Sequence, residues 1–239
     1  MRSFAGLILS VALLTGCSTS RLLVDQEYQE RPSLETSLFR GDQDYISEEA
    51  VQQILAGRIE IPQRAKVAIF RYQGAEEAFY ARSAYGYSYW RTEAYIKAQE
   101  ELVDVLQSAL DNSGRVSEAT ILPSMLVPTR PSITMLRQAA VRLQADLLLI
   151  YRITSDVYSD YSLFSRHRVK AYSSCEALLF DVRTGIIPFT TIVSRDVLRE
   201  KTSEDVANSE VARLAQHEAS LEAIRFVGVE LAEFLRDIR

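Results

Sequence analysis

Residues 147–151, Leu147-Leu148-Leu149-Ile150-Tyr151, are an unbroken apolar run. A strand with one face in water alternates apolar and polar residues, so a short run without alternation reads as a central strand covered on both faces. Alternation returns at Ile153 and Val157. It then becomes strict in Val169, Ala171, Ser173, Cys175, Ala177 and Leu179, which predicts a strand with one covered face. Asp181-Val182-Arg183-Thr184-Gly185 predicts a hairpin turn, with Gly185 suited to a positive φ. The return strand is expected over 186–198, at a sheet edge because Pro188 cannot donate to a ladder.

Earlier, Ser47-Glu48-Glu49 starts a short helix with acids at its positive end. Val51, Ile54 and Leu55 share one face, and Gly57 ends it. A buried strand follows over 66–72. Thr92 is expected to cap a long helix with Ala98, Leu102, Val105, Leu106, Ala109 and Leu110 at helical spacing, stopped by Asn112-Ser113-Gly114. A strand over 116–122 closes at Pro123. Pro131-Ser132 opens a helix with Leu136, Ala139, Ala140 and Leu143 on one face. The last segment predicts a helix over 203–238, striped by Val211, Leu214, Leu221, Ile224, Val227, Leu231, Leu235 and Ile238, with Gly228 permitting close packing on the sheet. The order is β-α-β-α-β-β-β-α. Two crossovers imply parallel pairing and the later hairpins antiparallel pairing, so the expected fold is α/β: a mixed sheet packed with helices.

The N-terminus carries a second kind of information. Arg2 precedes an apolar stretch over 4–14, and small residues lead to Cys17, the anatomy of a secretory signal. The stretch is about half the 20 residues a spanning helix needs. Leu14-Thr15-Gly16-Cys17 resembles the lipobox of bacterial lipoproteins, in which the cysteine is acylated, palmitate being one such chain, and becomes the first residue. Residues 1–16 are then the signal peptide, 17–46 a flexible tether and 47–239 a single periplasmic domain. Ser18, rather than aspartate, after the cysteine points by the same resemblance to the outer membrane. Two or more acyl chains hold a protein there stably. Thirty flexible residues reach roughly 30 Å on average and about 100 Å fully stretched.

Removing residues 1–16 from the 239-residue chain leaves 223, enough for one large domain and a tether. The net charge of −5, without a basic run, argues against nucleic acid as a partner. With Cys17 lipidated, Cys175 has no intramolecular disulfide partner. Its place in an alternating strand predicts a buried thiol.

Three stretches, 66–70 (Lys-Val-Ala-Ile-Phe), 145–151 (Ala-Asp-Leu-Leu-Leu-Ile-Tyr) and 179–185 (Leu-Phe-Asp-Val-Arg-Thr-Gly), resemble recurring strand and D-x-x-T-G hairpin motifs of a group of periplasmic α/β lipoprotein domains. The curli-secretion lipoprotein, the penicillin-binding-protein activator lipoprotein and the amino-terminal domain of the Tol-system propeller protein belong to it. The resemblance spans about residues 60–238 and implies a domain that binds proteins or assembles rather than an enzyme.

Catalytic patterns are sparse. His167 lies in Arg166-His167-Arg168 and His217 on the polar part of the last helix; no pair has metal-ligand spacing, and no phosphate loop or nucleophile motif is present. The carboxylate pairs Glu48-Glu49, Glu76-Glu77 and Glu100-Glu101 read as surface charge, so no catalytic residue, cofactor or metal is expected. The aromatic cluster over 79–95 is different. Phe79, Tyr80, Tyr85, Tyr87, Tyr89 and Trp90 stand among Ala, Ser and Gly, the composition of adaptable binding loops. Tyr85, Tyr87 and Tyr89 alternate and would share one side of an extended segment. They are the candidate partner-binding residues, for a protein or a glycan, covering of the sheet and insertion at a lipid interface being the alternatives. A second aromatic set, Tyr158, Tyr161 and Phe164, is expected in a loop. The function expected is capture of an envelope protein (an assembly, secretion or cell-wall factor), with a homo-oligomer possible. An oligomeric secretion channel and an envelope hydrolase with an unrecognised site are the alternatives. A channel hairpin needs about 20 residues plus a turn, and 74–95 is barely long enough.

Overall fold

The computed structural model describes Leu38 and residues 47–73, 89–128, 131–160, 168–200, 202 and 208–238; residues 50, 89–95, 159–160 and 208–209 are described by backbone alone. All lie in one compact unit, Thr36–Arg239. The elements are α1 (Glu48–Ala56), β1 (Ala65–Arg71), α2 (Tyr89–Asn112), β2 (Val116–Ile121), α3 (Ile133–Arg142), β3 (Leu147–Asp160), β4 (Arg168–Asp181), β5 (Phe189–Glu200) and α4 (Asn208–Asp237). A 3-10 turn, Ser124–Leu126, follows β2.

The strands form one sheet in the order β2-β1-β3-β4-β5. β1 is parallel to both β2 and β3, as the two crossovers require, and β3-β4-β5 is an antiparallel meander. The apolar run of β3 has the predicted cause. Leu147, Leu149 and Tyr151 are buried with Leu102, Leu106 and Leu110 of α2 and Ile224, Val227 and Leu231 of α4. Leu148 and Ile150 are buried on the opposite side with Ile133, Leu136, Ala139 and Ala140 of α3. Each buried leucine or isoleucine among them contributes roughly 1.5–3 kcal/mol.

The cover is unequal. With 30 residues, α4 is about 45 Å long and matches the 14 residues of β3 at about 3.4 Å each. It packs along the full meander, from Leu235 in the main core to Val211, Ala215 and Ala219 against Val169 and Ala171. The alanines let the helix approach closely, and Ser173 and Ser220 meet at 3.0 Å, so neither buried hydroxyl is left unpaired. On the other side α3 has ten residues, about 15 Å, and covers only the end of the sheet bearing Leu148, Ile150, Phe180 and Val182.

Local signals explain the ends of elements. The Ser132 hydroxyl accepts from the Met135 backbone N–H and caps α3. Gly114 at φ 70° ends α2, and Gly185 at φ 80° closes the 181–185 turn. In that turn Asp181 accepts from the Arg183 N–H at 2.9 Å and the Thr184 hydroxyl at 2.7 Å. Arg137 of α3 donates to the Val182 and Arg183 carbonyls. The D-x-x-T-G sequence is thus a self-capped turn clamped to a helix.

Several expectations differ. The first helical residue of α2 is Tyr89, three before the expected cap at Thr92; helix ends are set by the surroundings as much as by a capping residue. β5 begins at Phe189, so Pro188 lies just outside the edge strand instead of in it. Gly228 packs on a helix, not the sheet: a Cβ there would lie 2.8 Å from Ala109 Cβ of α2. The apolar face of α1 is largely solvated, with Leu55 74% exposed, and a Cβ at Gly57 would lie 3.0 Å from Ile186 Cδ1. Leu38, within the segment read as tether, packs against the α3 cluster and accepts a hydrogen bond from the Ile133 N–H at 2.7 Å.

Candidate functional site

Where α3 ends, no other described helix covers that face of the meander. On β4 the burial alternates strictly: Val169, Ala171, Ser173 and Cys175 lie under α4, while Arg168, Lys170, Tyr172, Ser174 and Glu176 point the other way. Register carries this face onto the neighbours. Asp156 and Tyr158 of β3 oppose Tyr172 and Lys170; Ile192, Asp196 and Leu198 of β5 oppose Glu176, Tyr172 and Lys170. The result is a three-stranded surface open to solvent.

Its geometry is organised around Tyr172. The Tyr158 ring meets it edge-on, with centroids 5.7 Å apart at 87°. The Lys170 ammonium lies 4.8 Å from the Tyr172 centroid and 3.0 Å from Asp196 Oδ2. The side-chain hydrogen bond toward Tyr172, then the one Lys170 donates to the Asp196 carboxylate, raises the Lys170 pKa above its ordinary value. Arg168 and Glu200 pair at 3.2 Å, and the Ser194 hydroxyl donates to that of Ser174 at 3.1 Å. Around these pairs Tyr158, Ile192 and Leu198 are 64%, 72% and 61% exposed. Exposed aromatic and aliphatic side chains thus stand beside charged pairs on one face of the meander.

Chemistry of another kind is less well served. Cys175 lies beneath the sheet, and burial pushes its thiol up to about 12, leaving it neutral and unreactive. His217 is not on a solvated face: it is partly buried between α4 and α2, with Nε2 2.7 Å from Glu101 Oε2. Glu101, read as surface charge, is half of that contact. Among the described residues no group of three His, Cys, Asp or Glu could hold a metal ion, and no helix is long and apolar enough to cross a membrane.

The sequence-predicted residues stand as follows. Cys17, Phe79, Tyr80, Tyr85 and Tyr87 lie outside the described residues, as do His167, Tyr161 and Phe164. The backbone of Tyr89 and Trp90 forms the start of α2, so the extended alternation cannot include Tyr89. Tyr158, expected in a loop, is in strand β3. Sequence reasoning missed Tyr172, Ile192 and Leu198. Their signal was present in the polar half of the period-two pattern, where an aromatic and two aliphatics occupy outward positions.

No protein-family model matches this chain, and a search among curated proteins gives no match. Several solved structures of bacterial proteins align with it. A minor lipoprotein from Acinetobacter baumannii is 8% identical over 71% of this chain and 93% of its own, with a TM-score of 0.35. Lipoprotein GNA1162 from Neisseria meningitidis is 11% identical over 63% and 92%, with a TM-score of 0.29. A PelC dodecamer from Paraburkholderia phytofirmans is 12% identical over 71% and 93%, with a TM-score of 0.32.

Proposed function

We propose that this chain is a lipid-anchored protein of the bacterial outer membrane, facing the periplasm, that binds an envelope protein without catalysis. The reading of the anchor rests on Leu14-Thr15-Gly16-Cys17. The binding role rests on one observation: the meander is covered along its whole length by α4 but only at one end by α3, which leaves Tyr158, Tyr172, Ile192 and Leu198 in solvent. Aromatic residues so placed offer large contact area at low entropic cost. The segment containing Phe79, Tyr80, Tyr85, Tyr87, Tyr89 and Trp90 is proposed as a second contact.

The β3-β4 hairpin has the strand length of a membrane hairpin, which favours the channel as the second reading. Against it, one face of the hairpin packs on Val211, Ala215 and Ala219 of α4.

The test is site-specific photocrosslinking in intact envelopes. A photoreactive residue at Tyr172 or Leu198 should capture one discrete protein, and one at exposed Glu118 of β2 should not; equal capture from all three would remove the sheet face from consideration. In parallel, Cys17→Ala should abolish incorporation of labelled fatty acid and release the protein from membranes, and continued acylation would refute the anchor. Light scattering of the lipidated protein separates the readings, a discrete ring-sized particle favouring the channel.

A further inference from the structure

A different part of the surface is concave and unequally charged. Between the C-terminal half of α3 and the 181–185 turn lies a cleft of about 880 Å³, open to solvent along its length. Its volume is within the range of roughly 300–1,000 Å³ typical of ligand sites, but its openness suits a chain laid across it better than an enclosed small molecule.

The charges are one-sided. Arg137, Arg142 and Arg183 line the cleft with a single carboxylate, Asp146, so its net charge is +2 in a chain of −5. Asp146 is committed to the fold: Oδ2 accepts from the Lys66 N–H at 3.0 Å, and Oδ1 lies 3.5 Å from Arg183 Nη2. Arg137 is also committed, to the Val182 and Arg183 carbonyls, which are neutral and leave its charge in place. The cations facing solvent are Arg183, whose side chain is 72% exposed while it pairs with Asp146 at 3.5 Å, and Arg142, which donates to the Gln138 carbonyl of its own helix.

The remaining lining selects among anions. Gln138 and Gln144 offer amides that donate and accept, as a peptide backbone requires, and Val141 is an exposed apolar contact. Gln144 sits at φ 56° just past the end of α3, where glycine is the usual residue, so the chain places a side-chain amide in the cleft at a position whose backbone favours none. Guanidinium forks match carboxylates in bidentate geometry.

We infer that this cleft binds an extended acidic peptide segment of a partner protein, with Arg142 and Arg183 pairing its carboxylates and Gln138 and Gln144 its backbone. The full-length protein is titrated with a fluorescent, end-capped octapeptide of alternating Glu and Val, and with the same peptide carrying Gln for Glu. The Glu peptide should bind about tenfold or more tightly at low salt, and the difference should shrink in high salt. Arg142→Gln with Arg183→Gln should remove that advantage with only a small drop in the thermal midpoint, because both side chains are exposed and the Arg183–Asp146 pair is a surface one; the double Lys variant should retain part of it. Equal binding of the two peptides, or unchanged binding by the double Gln variant, would overturn the assignment. So would full displacement of the peptide by millimolar inorganic phosphate, which would mark a simple anion site.

Discussion

Gly228 of α4 and Ala109 of α2 lie in such close contact that a Cβ added at 228 would stand 2.8 Å from Ala109 Cβ, nearer than real Cβ atoms approach. Gly228→Ala should therefore destabilise the protein although alanine is the better helix former. The propensity gain is about 1 kcal/mol, and overpacking costs typically 1–3 kcal/mol. Adding Ala109→Gly should restore part of the loss in a urea double-mutant cycle. A single variant as stable as the parent would show that the helices can part freely.

Asp181 organises the turn that joins β4 to the α3 clamp. It is buried and accepts from the Arg183 N–H and from the Thr184 N–H and hydroxyl. Asp181→Ala should cost about 2–3 kcal/mol, because charge-assisted bonds are lost and donors are stranded. Asp181→Asn keeps one acceptor and should cost less. Chemical denaturation reads both, and equal losses would indicate that the one acceptor Asn keeps contributes nothing, all of the stabilisation residing in the carboxylate charge and the second oxygen.

Cys175 makes stability fall at high pH. Burial raises its thiol from 9.0 to about 12, opposed by Arg71 and supported by Glu176. Below pH 9 the thiol is protonated in both folded and unfolded chains and contributes no pH dependence. Above it, the unfolded chain loses the proton first, so stability declines by at most about 1.4 kcal/mol per pH unit until the folded thiol titrates. Cys175→Ala should flatten that decline, and alkylation of the native protein at pH 8 should proceed only through unfolding. Rapid labelling of the folded protein would contradict the burial.

The contact between His217 and Glu101 joins α4 to α2 from positions 116 residues apart in sequence. Because Glu101 is about half exposed, its coupling to His217 should be modest, about 0.5–1 kcal/mol in a cycle of Glu101→Gln and His217→Gln. Zero coupling would make it an incidental surface contact.

The fold was largely legible in sequence because each element announces its burial. The unbroken run 147–151 required cover on two faces, and strict period two over 169–179 required one. What was not legible depends on partners distant in the chain. Nothing near Gly228 names Ala109, and nothing near His217 names Glu101; both pairs exist because the crossovers set α2 beside α4. The stripe of α4 was read from its large residues, and Ala215, Ala219 and Ala223 were passed over since a buried alanine has no periodic signature distinct from an exposed one. The open sheet face was missed because it depends on the shortness of α3, a property of another element. The arginine cleft was missed because it is made by two segments about 40 residues apart.

The place of β1 between β2 and β3 sets an order of events for a growing chain. β1 is made early, yet one neighbour, Leu147–Asp160, is 80 residues later in sequence. Its other neighbour, β2, is a six-residue edge strand. The meander, by contrast, closes through adjacent hairpins, and distant parallel pairing is the slow step for sheets of this kind. Until β3 has been synthesised β1 can pair only with β2, so the five-stranded sheet is complete only after Glu200 has emerged.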